Sequence, residues 1–331
     1  MDEANLLEWA GISLGKGETY RLYLSMKQLA QGLPSDTERL RFFGKMTTRS
    51  KPYFIVEGIS TDEEEFDESK QEGKSGANKY SYWVTQSVES GLWVKLPNVT
   101  MAQVVAARQF KRFLTGDLNA PVPSYPPFPG TEKNLLRTQI ACIAGATGIS
   151  PDGFFELDED GDAPAVKLAE AEALAERFPK PAADLKDPEA WKHHETELNK
   201  IGRVLAMPEQ LDENGEPIEP EEPVELTQPL DAVKPELWSF RISPGGAGVA
   251  EASLVVARSL QWPGAVAVAA GRRFLNVYIG NGVPYSPTQY SPPLPRTIQT
   301  EWTPAEEDPG MIEQADTRAD PTPPAAEETE E

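Results

Sequence analysis

Apolar positions recur along this chain with two periods, and each periodic stretch predicts an element. Over residues 5–30 the spacing is helical. Leu22, Met26 and Leu29 form one face, Tyr23 and Leu24 widen it, and Thr19 is placed to cap it. Pro34 and the polar run 35–38 end that helix. Two half-buried strands are expected at 40-LRFFGKM-46 and 53-YFIVEG-58, and two more at 80-YSYWVTQ-86 and 92-LWVKLP-97. Their connections are too short for helical crossovers, so a mostly antiparallel sheet follows. Residues 101–114 read as an amphipathic helix with Val104, Ala107, Phe110 and Leu114 on one stripe. Five prolines in 116–130 exclude helix and central strand alike. A second helix is expected over 132–145, capped by Thr131 and burying Leu136, Ile140 and Ile143.

Beyond Phe154 and Phe155 the pattern weakens. The alanine- and glutamate-rich stretch 164–178 predicts a mostly solvated helix. Asp187 and Pro188 suit the start of another, on which Trp191, His194, Leu198, Ile201 and Leu205 follow at spacings of 3, 4, 3 and 4. Period-two patterning returns in 237-LWSFRI-242, 253-SLVVARSL-260, 264-GAVAVAA-270 and 274-FLNVYIG-280, with turn residues between them, and predicts a meander. The fold class is therefore α+β: mostly antiparallel sheets with packed amphipathic helices, proline-rich loops and acidic linkers. The organisation expected is an N-terminal helix and strands (1–60), an acidic, glycine-rich loop (61–78), a central α+β region (79–206), an acidic proline-rich linker (207–235), a β-meander region (236–298) and an acidic tail (299–331). No internal repeat of solenoid period is present.

Charge sharpens this division. The formal net charge is −22, and residues 62–72, 204–236 and 301–331 together carry −25, so the remainder is close to neutral. Such acidic blocks are expected to stay solvated. Net acidity also argues against nucleic acid as a partner, because phosphates call for clustered Lys and Arg. The single cysteine, Cys142, excludes an intramolecular disulfide and a Cys-based zinc site, and its apolar surroundings read as those of a buried, inert thiol. No long uncharged apolar run predicts a membrane span or signal segment, which places the chain on the cytosolic side.

Motifs for chemistry fail on spacing. In 11-GISLGKGET-19 only three residues separate Gly11 from Gly15, and Gly17 follows Lys16 where a phosphate loop needs Ser or Thr. Asp158, Asp160 and Asp162 open like a calcium loop, but Ala163 and Ala169 occupy the positions of the essential glycine and glutamate. His193 and His194 are adjacent, so on a helix they diverge by about 100° and do not make a metal pair; His194 reads as a packed core residue. No catalytic, cofactor-binding or metal-binding residue is assigned. The features that suit a partner interface are the basic flank Arg108, Lys111 and Arg112, joined by Arg272 and Arg273, and the rigid proline–aromatic loop with Tyr125 and Phe128.

Several segments in order resemble the radial spoke head 4/6 family of axonemal proteins: 6-LLEWAGISLGKGETYRLYLSMKQL-29, 41-RFFGKM-46, 76-GANKYSYWV-84, 93-WVKLP-97, 103-QVVAARQFKRFLTGDLNAPVPSYPPFPG-130 with 135-LLRTQIACI-143, and 262-WPGAVAVAAGRRFLNVYIGNGVPYSP-287. The resemblance implies a scaffold without cofactor, located in the ciliary or flagellar axoneme, that relays mechanical signals between central pair and dynein arms. The implied partners are a paralogous spoke head subunit in a homo- or heterodimer, a shorter related subunit, MORN-repeat spoke head proteins, the spoke stalk and, transiently, central-pair projections. Family members usually carry a longer N-terminal extension than this sequence shows. A protein-interaction adaptor outside cilia is the alternative.

Overall fold

The computed structural model describes residues 2–33, 39–59, 70–73, 76–158, 165–204, 210–211, 217–218, 227–232, 235–243 and 254–285. The described residues all belong to one compact unit, 1–290. The predicted first helix is two helices, α1 (Asp2–Trp9) and α2 (Lys16–Gly32). Gly11, at φ +76°, ends α1: its N–H donates to the Glu8 carbonyl and that of Ile12 to the Leu7 carbonyl, a closure that needs a left-handed residue. Thr19 therefore lies inside α2, which starts after Gly15.

Four strands follow: β1 (Leu40–Met46), β2 (Tyr53–Gly58), β3 (Ser81–Thr85) and β4 (Val94–Lys95), each antiparallel to the next. Next come α3 (Met101–Ala107), capped by Thr100, and α4 (Glu132–Thr147), where the N–H of Thr131 donates to Asn134 Oδ1 at 3.1 Å. The predicted helix over 101–114 thus stops at Ala107. The Arg108 guanidinium turns aside to the Leu198 and Asn199 carbonyls, and Leu114 offers its carbonyl to Arg49 N–H, so tertiary hydrogen bonds replace helical ones. Leu114 is buried all the same.

After β5 (Ile149–Pro151), the hairpin of β6 (Phe155–Asp158) and β7 (Ala165–Leu168) takes the first part of the stretch read as a helix over 164–178. Only α5 (Ala171–Arg177) is helical there, and it buries no residue. The helix expected after Asp187 is also absent. Asp187 and Pro188 cap a single 3₁₀ turn, and β8 (Trp191–His193) pairs antiparallel with β5. Trp191 is fully buried with its Nε1–H on the Leu185 carbonyl, and the His194 N–H donates to the Gly148 carbonyl. Strand pairing and a burial pocket decided this segment, and its helical spacing was coincidental. Leu205 lies outside the described residues.

The pair β9 (Gln210–Leu211) and β10 (Pro217–Ile218) precedes the meander β11 (Trp238–Ser243), β12 (Leu254–Ser259), β13 (Ala265–Ala270) and β14 (Arg273–Gly280), as the period-two pattern predicts. The two meanders form one eight-stranded sheet, β11-β12-β13-β14-β1-β2-β3-β4, closed by a parallel pairing of β14 with β1. Gly44 makes that join. A Cβ there would stand 2.0 Å from the Tyr278 carbonyl oxygen, and the register of β1 against β2 shifts beside it.

One face of the sheet is covered by α4, whose Leu135, Leu136, Ile140 and Ile143 pack on Phe43, Ile55, Tyr82 and Tyr278. Farther along that face Trp191 and Ile149 lie over Val255, Ala257, Ala267 and Ala269. On the other face, Leu6 and Ala10 of α1 meet Val256, Val266, Val268 and Val277. Of the acidic blocks, 62–69, most of 204–236 and all of 301–331 lie outside the described residues. Glu72 is not solvated as expected: it is buried against Arg203, and its carboxylate accepts the Ala77 and Val204 N–H groups.

Candidate protein-binding site

A cleft of about 190 Å³ opens where the end of α3, the outer side of α4 and the two ends of the β13–β14 hairpin meet. The chain after α3 is held there by Glu132 at the start of α4. Its buried carboxylate accepts Thr115 and Gly116 N–H, the Thr115 hydroxyl at 2.6 Å and the Tyr53 hydroxyl at 2.8 Å. That clamp anchors the non-helical stretch after α3, and Arg108, Lys111 and Arg112 from it line the cleft. Arg108 donates to the Leu198 carbonyl at 2.7 Å, and Arg112 to the Pro123 carbonyl at 2.9 Å. Both acceptors are neutral, so the cationic charge is kept. Among the described residues Glu197 is the one carboxylate lining the cleft. Its floor is apolar, with Ala107, Ala146, Trp262, Val283 and Pro284. Cys142 lies there too, and burial pushes its thiol up to about 11 despite nearby Arg108, so it stays protonated at neutral pH.

The other candidate interface residues lie elsewhere. Tyr125 is 47% exposed, whereas Phe128 is 7% exposed and turned inward, edge-on to Phe110 at 6.0 Å. Phe128 thus anchors the proline loop to the core and leaves Tyr125 as its outward aromatic. Arg272 and Arg273 sit at the far end of the hairpin, a strand length of roughly 23 Å from the cleft. Arg272 is exposed and donates to the Phe178 carbonyl at 3.2 Å. So the structure joins Arg108, Lys111 and Arg112 in one site and separates them from Arg272 and Arg273. Sequence periodicity missed Trp262, Val283 and Pro284 as parts of the same site, although they fall in the family-like run 262–287.

His194 belongs to a second polar cluster, around a small space of about 30 Å³ between the sheet and α4. That is room for one or two waters and not for a substrate. Arg41 and Glu57 pair across it at 2.6 Å; burial opposes the guanidinium charge, but the carboxylate beside it keeps Arg41 protonated. Tyr80 donates to Glu195 at 3.1 Å, and burial raises the Glu195 carboxyl above its usual range. His194 is stacked on Phe155 at 4.7 Å and held neutral, first by burial and then by nearby Arg41 and Lys79. Burial alone lowers His193 to about 4. No group of His, Cys, Asp and Glu suited to a metal ion occurs among the described residues. In the 11–19 segment residues 11–15 link α1 to α2 and 16–19 open α2, with no strand before them, which is not the setting of a phosphate loop. Asp160 and Asp162 lie outside the described residues.

The sequence model of the radial spokehead-like protein family matches residues 1–74 and 67–325. The chain belongs to this family. Relatives include human radial spoke head protein 6 homolog A, 35% identical over 91% of this chain and 51% of the relative, and human radial spoke head protein 4 homolog A, 33% identical over 91% and 49%. Flagellar radial spoke protein 4 of Chlamydomonas reinhardtii is 31% identical over 90% of this chain and 70% of its own. This radial spokehead-like chain spans about half the length of the human relatives. Most of its cleft lining comes from three of the family-like runs, 103–130, 135–143 and 262–287, which lie apart in sequence and converge in the fold; Ala146, Glu197, Leu198 and Gln261 complete it.

Proposed function

We propose that this radial spokehead-like protein is a structural subunit of the radial spoke head in the axoneme of cilia and flagella. It works through protein contacts and not through catalysis. The observation that carries the reading is the family match along nearly the whole chain, together with relatives named for spoke heads and for a flagellar radial spoke. The sheet supports it physically, because strands from 1–60, 79–206 and 236–298 share one hydrogen-bonded ladder and make a single stiff body. Such a body transmits load between neighbours without internal hinging, as a relay from central pair to dynein arms requires. Its neighbours in this reading are a paralogous spoke head subunit, a shorter relative, MORN-repeat subunits and the stalk, with transient contact to central-pair projections. Arg108, Lys111, Arg112, Tyr125, Arg272 and Arg273 offer its charged and aromatic contacts.

The test is to express the tagged chain in cells whose motile cilia lack their own counterpart, then examine axonemes by cryo-electron tomography. Recovery of spoke head density and of beating is expected. A chain that is absent from axonemes and enriched elsewhere in the cell would overturn the reading in favour of a non-ciliary adaptor.

A further inference from the structure

We infer that the cleft rimmed by Arg108, Lys111 and Arg112 is a docking site for an acidic linear segment of a partner protein, one that inserts a single apolar side chain between flanking carboxylates. The inference rests on the reading that this chain works through protein contacts, and it names the chemistry of one such contact.

Size decides against a small-molecule site. Ligand pockets usually run from about 300 Å³ to about 1,000 Å³, while this cleft offers about 190 Å³, the scale of one side chain. Ala107, Ala146, Trp262 and Val283 give an apolar group a surface to pack on, while Gln139 and Gln261 add amide groups beside it. The rim supplies the opposite preference. Among the described residues three cations line the cleft with one carboxylate, Glu197, on a chain whose formal net charge is −22. The lining thus carries a small positive excess, which suits a short acidic segment better than an extended polyanion. A nucleic acid would meet repulsion from the rest of the molecule. Two of the three cations are already oriented, Arg108 by the Leu198 and Asn199 carbonyls and Arg112 by the Pro123 carbonyl. Each guanidinium has five N–H donors, so donors remain for an incoming carboxylate, and little side-chain freedom is lost when it arrives.

The experiment uses the purified full chain and a fluorescent peptide of glutamate and serine around one leucine, read by anisotropy. Controls replace the leucine by serine or the glutamates by lysine. The leucine peptide is expected to bind, more weakly as salt rises, and neither control should. Lys111→Glu with Arg112→Glu is expected to weaken binding about tenfold or more by setting like charges opposite. Ala146→Phe fills the floor while keeping every charge, and it should abolish binding; thermal melting of each variant checks that it is folded. No binding by the intact chain, equal binding of the leucine-free peptide, or unchanged affinity in the charge-reversed variant would each overturn the proposal. If the peptide fails to bind while the chain still enters spoke heads, the docking site falls and the spoke head reading stands. If the peptide binds and the chain stays out of axonemes, the spoke head reading is the one that fails.

Discussion

Helices α2 and α4 are nearly equal in length and similarly amphipathic in sequence, yet the fold treats them differently. α4 buries eleven of its sixteen residues, on the sheet on one side and beneath α3 and the 194–204 segment on the other. α2 buries two of seventeen, Leu22 and Ser25, and leaves Tyr20, Tyr23 and Leu24 exposed. Besides buried Leu22, its ties to the body include Lys45 to Glu18 at 2.7 Å, Trp93 Nε1–H to the Ser25 hydroxyl at 3.0 Å, and Arg21 to Glu89 at 2.9 Å. The exposed ion pair contributes little. Periodicity thus reveals that a helix has an apolar face; what covers that face is a property of the assembled fold.

Removing the floor under both helices should have the largest effect. Gly44→Val would drive a side chain into the Tyr278 carbonyl and split the two meanders, at a cost above about 4 kcal/mol. Insoluble protein, or loss of a cooperative urea transition, is the expected result. Leu136→Ala leaves a cavity under α4 and should cost about 2–5 kcal/mol by urea unfolding. Leu22→Ala should fall at the bottom of that range, about 2 kcal/mol, and should speed hydrogen exchange in α2 without changing that in α4. Equal exchange in both helices would dissolve the contrast drawn between them.

Acid probes the β5–β8 pair, which His193 ends. His193 has its pKa lowered to about 4 by burial, below the ordinary 6.5, so the unfolded chain binds a proton that the folded one refuses. Stability from this group is complete above about pH 6.5 and is lost as pH falls toward 4, at up to about 1.4 kcal/mol per pH unit. His193→Gln should flatten the urea midpoint across that window, while His194, shifted the same way, keeps part of the slope. The smallest effect belongs to the open side of α2. Tyr20→Ser with Leu24→Ala should change stability by no more than about 0.5 kcal/mol, and a larger loss would mean that the exposed face carries packing after all.

Much of the fold was legible beforehand where a pattern was local. The four strands of the second meander, the strands at 40–46 and 53–58 and the helix after Thr131 appear within a residue or two of their expected bounds. Failures came where distant partners outbid local spacing. The Trp191–Leu198 stripe has heptad-like intervals, but β5 and the Leu185 carbonyl claim Trp191 for a strand. The stretch after Ala107 has helical periodicity, but Glu132 takes the Thr115 and Gly116 N–H groups beyond its end and the helix does not continue. Among interface candidates, the basic flank was legible as charge and Phe128 was not legible as core, since an aromatic between prolines reads alike in either role.

By itself the sequence determined the alternation of strands, the apolar faces of the helices, the scarcity of reactive groups and the family. The tertiary structure alone decided that the two meanders become one sheet, through a parallel pairing of Gly44 with Tyr278 across most of the chain. It also decided which apolar face is covered, and that three cations share a cleft with Trp262 and Val283. Periodicity and turn chemistry act over a few residues, so they are written in neighbouring positions. Pairing and burial depend on which distant surfaces fit together, and only the closed chain brings those surfaces into contact.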